Sequence, residues 1–282
     1  MGQLSGERRR QSTTPLESVL RRDRALVLVG ISGVALLSWL YLFYLIWARG
    51  PGRDAGSMTM GSMTMGMDLA RSQVHAWGTV DFALMLAMWV VMMAAMMVPT
   101  AAPMLLTFAA VNRQRRERER PYVATGVFLL GYLLVWSGFA AAATLAQCGL
   151  NATALLTPML ASASPWLGGG LLLAAGLFQW SPLKYACLNH CRSPLSYIIG
   201  GWREGGGGAL VMGMQHGAYC LGCCWALMGL LLVLGVMNLL WIAALAGFVL
   251  VEKVAPGGHW IGRVTGLLLV VWGLWLVVGA LL

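Results

Sequence analysis

The chain has 282 residues, 59% of them hydrophobic and 10% charged, with a formal net charge of +9. A soluble domain carries roughly a quarter charged residues, so this composition excludes an ordinary water-soluble enzyme and places the chain in a lipid bilayer. The basic residues stand in short blocks between apolar runs, where they orient a membrane chain, so no nucleic-acid partner is expected.

Residues 1–24 form a basic cytoplasmic arm holding Arg8, Arg9, Arg10, Arg21, Arg22 and Arg24, expected to be disordered or to lie on a surface. The first apolar run, 25–47, is longer than the ~7–15 residues of a signal-peptide core and reads as a retained anchor. An outer loop follows at 48–78. It contains GSMTMGSMTMGM, Gly56 to Met67, in which GSMTM occurs twice. Its methionines, Met58, Met60, Met63, Met65 and Met67, sit among Gly, Ser and Thr and have no core to fill. Thioethers are poor zinc ligands and good Cu(I) ligands, so the loop is expected to capture or present a soft metal.

The second run, 79–107, reads MLAMWVVMMAAMMVP in its middle, and Met85, Met88, Met92 and Met96 recur on one helical face. That face either fills core with adaptable side chains or, through Met88, Met92 and Met96, contributes to a copper site. Pro99 and Pro103 are helix breakers near its end. The basic loop Arg113–Arg120 leads to a third run, 122–147, with Cys148 at its outer end.

The fourth run, 165–183, feeds a loop, 184–207, containing CLNHC. In a helix Cys187 and Cys191 are one turn apart with His190 on nearly the same face. This reads as a ligand set at the cytoplasmic mouth, and zinc would accept it with one more ligand. Gly205–Gly208 read as a flexible lead into the fifth run, 208–233.

That fifth run carries His216, Cys220, Cys223 and Cys224. An advance of about 100° per residue puts all four, with Met212, on one stripe. Cys220 can share an ion with Cys223 or Cys224, whereas His216 stands about 10 Å from Cys223 along the axis. The stripe is therefore two sites or a ladder. An isolated thiolate in hydrocarbon is very costly, and a bound cation removes that cost. A tight turn near Gly235 joins this run to a sixth at 236–254, and a seventh occupies 260–281.

With the N-terminus in the cytoplasm, 16 basic residues fall inside and three, Arg49, Arg53 and Arg71, outside, as the positive-inside rule requires. That tally counts Lys184, Arg192, Arg203, Lys253 and Arg263 as cytoplasmic loop charges, and an odd number of spans leaves the C-terminus outside. Asp81 and Glu252 are almost the only carboxylates near the spans, which argues against Ca, Mg or Mn and against an acidic proton relay. Gln147, Gln179 and Asn238 read as hydrogen-bonding glue between helices. Walker, phospho-aspartate and dinucleotide motifs are absent.

The expected molecule is an all-α polytopic bundle of about seven transmembrane helices over 25–282. It binds a soft metal, Cu(I) first and zinc second, and acts in metal transport or delivery with a metal-donor or acceptor protein as partner. Cys220 and Cys223 also form a C-x-x-C that suits a membrane thiol–disulfide oxidoreductase, with Cys148 assisting, so whether the chain is an enzyme stays open.

The segments MWVVMMAAMMVPTAAPM, GLFQWSPLKYACLNHCRSPLSY, MQHGAYCLGCCWALM and GVMNLLWIAALAGFVLVEKVAP together resemble a bacterial family of predicted metal-binding integral membrane proteins, over roughly residues 75 to 280. The resemblance implies a multi-pass protein of the bacterial inner membrane that binds metal through Cys187, His190, Cys191, His216, Cys220, Cys223 and Cys224. It implies no reaction.

Overall fold

The computed structural model describes residues 15–48, 78–116, 125–153, 164–236 and 238–281, and every regular element within them is helical. In chain order these are α1 (Pro15–Ala48), α2 (Thr79–Met97), a 3-10 turn (Pro99–Ala101), α3 (Ala102–Arg116), α4 (Thr125–Ala152), α5 (Pro165–Phe178), α6 (Pro182–Arg192), α7 (Pro194–Gly200), α8 (Gly205–Gly229), α9 (Leu231–Leu234), α10 (Leu239–Val254) and α11 (Gly258–Gly279). Because α1 begins at Pro15, the second half of the expected arm is helical. Its first half and the Met-rich repeat at 56–67 lie outside the described residues.

Among the described residues, five helical stretches are long and apolar enough to cross a membrane: Arg24–Leu45, Thr79–Arg115, Thr125–Ala152, Gly205–Leu234 and Gly258–Gly279. The expected fourth and sixth spans are shorter. Helix α5 has 14 residues and α10 has 16, against the about 20 that a straight crossing takes.

Helices α4 and α8 run side by side in the same direction and form the most intimate pair. Glycine makes this possible. A Cβ on Gly217 would lie 3.2 Å from the carbonyl oxygen of Tyr132, and one on Gly213 would collide with that of Phe128. Small residues let backbones approach in this way where helices pack without a hydrophobic driving force between them. Helix α2 packs on α4, with α1 outside it. Gln147 accepts the indole hydrogen of Trp89 at 2.7 Å and ties α2 to α4, the interhelical role expected of it. Helices α5 and α11 form a second glycine-mediated pair through Gly169, Gly176, Gly266 and Gly273.

The region read as one span plus a cytoplasmic loop folds differently. From α5 through α7 the chain runs antiparallel along nearly the whole of α8. Gly168 lies beside Val233, and Phe178 meets Trp225 at 5.4 Å between ring centroids. Farther along, Cys187 abuts Gly222, His190 stacks on Tyr219 at 4.2 Å, and the Tyr197 hydroxyl donates to the Met212 carbonyl at 2.9 Å. The path is broken twice, at 179–181 and at Ser193. Each break is followed by proline at the first helical position, where its fixed φ and missing N–H start a helix. At the first break Ser181 Oγ also accepts from the Leu183 amide at 3.2 Å, satisfying one orphan donor.

Two smaller expectations change. Gly205–Gly208 form the first turn of α8 and not a flexible lead, with Gly205 at φ 78°. Asn238 caps α10, its Oδ1 accepting from the amides of Leu240 and Trp241 at 3.1 and 3.4 Å, so it is not interhelical glue. Gly235, at φ 90°, supplies the expected turn between α9 and α10, a conformation that favours glycine.

Candidate metal centre

Helix α8 turns one stripe inward. His216, Cys220, Cys223 and Cys224 are all buried, as is Met212. The helix is held in this rotation by the glycines on its α4 side, which admit backbone and no side chain. The thiols of Cys223 and Cys224 both donate to the Cys220 carbonyl, at 3.0 and 2.9 Å. That is a local bond a helical side chain makes when nothing else claims it.

Helix α6 brings the second half. Cys191 lies against both Cys220 and Cys223, and Cys187 stands beside Gly222 and near Cys223. CLNHC is therefore helical, as its spacing requires, yet it is no separate set at the mouth. It joins the α8 thiols about halfway along α8. His190 is the exception: it is exposed, its ring stacks on Tyr219, and its Nδ1 lies 2.8 Å from the Ala186 carbonyl oxygen.

Two residues that the sequence does not assign to the site contact Cys220. Tyr132 of α4 places its hydroxyl 3.0 Å from Cys220 Sγ and 3.0 Å from the Met97 carbonyl oxygen. Lys253 of α10 donates to Cys220 Sγ at 2.8 Å and to Thr100 Oγ1 at 3.2 Å. Lys253 and Lys184 were both counted as cytoplasmic loop charges; both are buried. Lys184 pairs with Glu252 and bonds Gln179, while Arg192 donates to the carbonyls of Glu252 and Ala255 at 2.8 and 2.7 Å. These contacts satisfy the last carbonyls of α10 and fasten the helix that carries Cys191 to the helix that carries Lys253. The available signal was the pair Glu252–Lys253 inside an otherwise apolar run, because charge within such a run marks function more often than topology.

His216 sits about one turn before Cys220 on α8, enclosed by the rings of Phe128, Tyr132 and Tyr197 at 6.1, 5.7 and 6.0 Å. Its buried Nδ1 has no hydrogen-bond partner among the described residues. Met88, Met92 and Met96 are buried on α2, but α2 packs chiefly on α4 and α1 and does not face the α8 stripe across an open interior. All six cysteines are free. Cys148 is half-buried, sixteen residues beyond Tyr132 on α4 and so about 24 Å from it along the axis.

Among the described residues no group of three or more His, Cys, Asp or Glu side chains is already arranged to hold a metal ion. The cause is visible in the rotamers, since Cys223 and Cys224 are turned back onto their own helix. The donor set fits copper by its chemistry: thiols dominate, carboxylate is absent from it, and sulfur suits soft metals.

No curated protein and no solved structure matches the chain. One family model does match, over residues 86–276, a stretch that contains every residue of the thiol cluster together with Tyr132 and Lys253. The chain belongs to that family, PpoB2, the copper chaperones.

Proposed function

We propose that the protein carries Cu(I) as cargo, held by Cys220 together with Cys191 or Cys223, within a bundle set in the bacterial inner membrane, and hands it to an acceptor protein. The observation that carries this reading is the convergence of Cys191 from α6 on Cys220 and Cys223 of α8. Residues far apart in sequence, on separate helices, bring soft donors to one buried point. Cu(I) is content with two thiolates, so the site needs only a rotation of Cys223, or none if Cys191 and Cys220 act together. Cys187 offers a neighbouring thiol for ligand exchange, and Cys224 and His216 extend the soft-donor lining. The Met-rich loop at 56–67 is the collector on the outer side.

The bilayer is supported by the outward-facing side chains. Leu36, Leu240, Leu268 and Trp275 are 63, 74, 63 and 70% exposed, an apolar surface far larger than a water-soluble monomer shows. Copper analysis tests the function. The reduced wild type is expected to retain Cu(I) through gel filtration, and Cys220→Ser/Cys223→Ser to lose it. A reduced wild type that takes up no Cu(I) overturns the reading, as does a double variant that binds like the wild type.

A further inference from the structure

The Lys253 side chain ends in the interior, and among the described residues no carboxylate stands within ion-pairing distance of it. Its neighbour Glu252 points to the other side of α10 and is taken by Lys184. What Lys253 does touch is Cys220 Sγ, at 2.8 Å, with Thr100 Oγ1 as its second partner. A buried ammonium without a counter-ion is a standing cost. Here it is placed against the thiol at the centre of the cluster.

We infer that Lys253 is the fixed counter-charge of the site and makes it selective for a monovalent cation held by two thiolates. The inference rests on the copper reading above and adds to it the residue that sets metal preference. When Cu(I) binds two cysteines, two S–H protons leave to solvent and two Cu–S bonds form. The metal, the two thiolates and the ammonium then carry no net charge, which is the state a low-dielectric interior favours. A divalent ion on the same two thiolates leaves the site with a surplus positive charge. It must recruit a third thiolate, which with Cys191 and Cys220 as the pair means turning Cys223 or Cys224 off the Cys220 carbonyl. The Lys184–Glu252 pair is neutral by itself and does not disturb this count. The hydroxyl of Tyr132, 3.0 Å from the same sulfur, can donate to a thiolate without adding charge.

The test measures Cu(I) and Zn(II) affinity separately, by chelator competition, on the reduced full-length protein in detergent. The wild type and Lys253→Arg are expected to prefer Cu(I). Lys253→Met is expected to weaken Cu(I) on the order of 1,000-fold, the scale of losing one opposite charge about 4 Å away at an effective dielectric near 20, while Zn(II) binding holds or tightens. A purely structural defect would weaken both metals alike, so equal losses in Lys253→Met overturn the inference, as does an unchanged preference. If Lys253→Met does not fold, as read by helical content, the wild type decides: Zn(II) binding as tight as Cu(I) overturns it. Failure of the wild type to bind Cu(I) at all overturns the copper reading, a result distinct from either of these.

Discussion

Cys220 is the residue on which the others converge. Its sulfur has a phenol at 3.0 Å and an ammonium at 2.8 Å, with Cys191 against it and its own carbonyl occupied by two further thiols. Cysteines that look alike in sequence are therefore not equivalent. Cys191→Ser removes a thiol that touches Cys220, and Cu(I) affinity is expected to fall by more than the 10–100-fold that loss of an outer partner costs. Cys148→Ser, remote on α4, is expected to leave Cu(I) affinity unchanged. Chelator competition on both variants checks this, and equal losses would show that the cluster has been drawn around the wrong sulfurs. The stripe on α8 was legible because helical periodicity alone puts His216, Cys220, Cys223 and Cys224 on one side. Lys253 was not. The pair Glu252–Lys253 inside an apolar run signals a function, but only the fold reveals that α10 delivers this lysine to a thiol.

Between elements, the decisive fact is that α6 lies along α8 instead of emerging from the bundle. Periodicity placed the long apolar helices yet gave no account of how 179–204 is folded, because prolines and serines mark breaks without saying whether the chain turns away or continues. Packing settles it: α6 is fastened to α10 by the Lys184–Glu252 pair, whose side chains are 1 and 2% exposed, and by Arg192. Breaking one partner of a buried pair strands the other charge. Glu252→Gln is expected to destabilise the fold by about 3–5 kcal/mol, whereas Lys184→Met/Glu252→Leu, which removes both charges, should recover most of that loss. Chemical denaturation in detergent micelles measures both. A double variant as unstable as the single one would mean that the carboxylate holds more than this lysine. Because the pair positions α6, Glu252→Gln should also weaken Cu(I) binding through Cys191.

At the scale of the whole molecule, the same geometry bears on how the chain would thread the proposed bilayer. Counting only the five long apolar stretches, or adding α5 and α10 for seven, gives an odd number either way, so the positions of the termini cannot separate the two. The segment α5–α7 can. It starts beside Val233 of α9, just past the end of α8, and finishes near the start of α8, where Arg115 at the far end of α3 pairs with Glu204 at 3.0 Å. In the proposed bilayer, a broken path that covers the length of a long apolar helix counts as a crossing, even though none of its pieces is long enough alone. Breaks of this kind are tolerated in lipid where the backbone is buried in protein, and discontinuous helices recur where transporters hold their ions. In a chain with its six cysteines changed to serine, Thr153→Cys at the end of α4 is therefore expected to react with an impermeant maleimide in intact cells. Glu204→Cys should react only after permeabilisation. Labelling of both from the same side would mean that α5–α7 dips and returns, with Cys191 reaching Cys220 from the outer side, and the route by which copper enters would have to be redrawn.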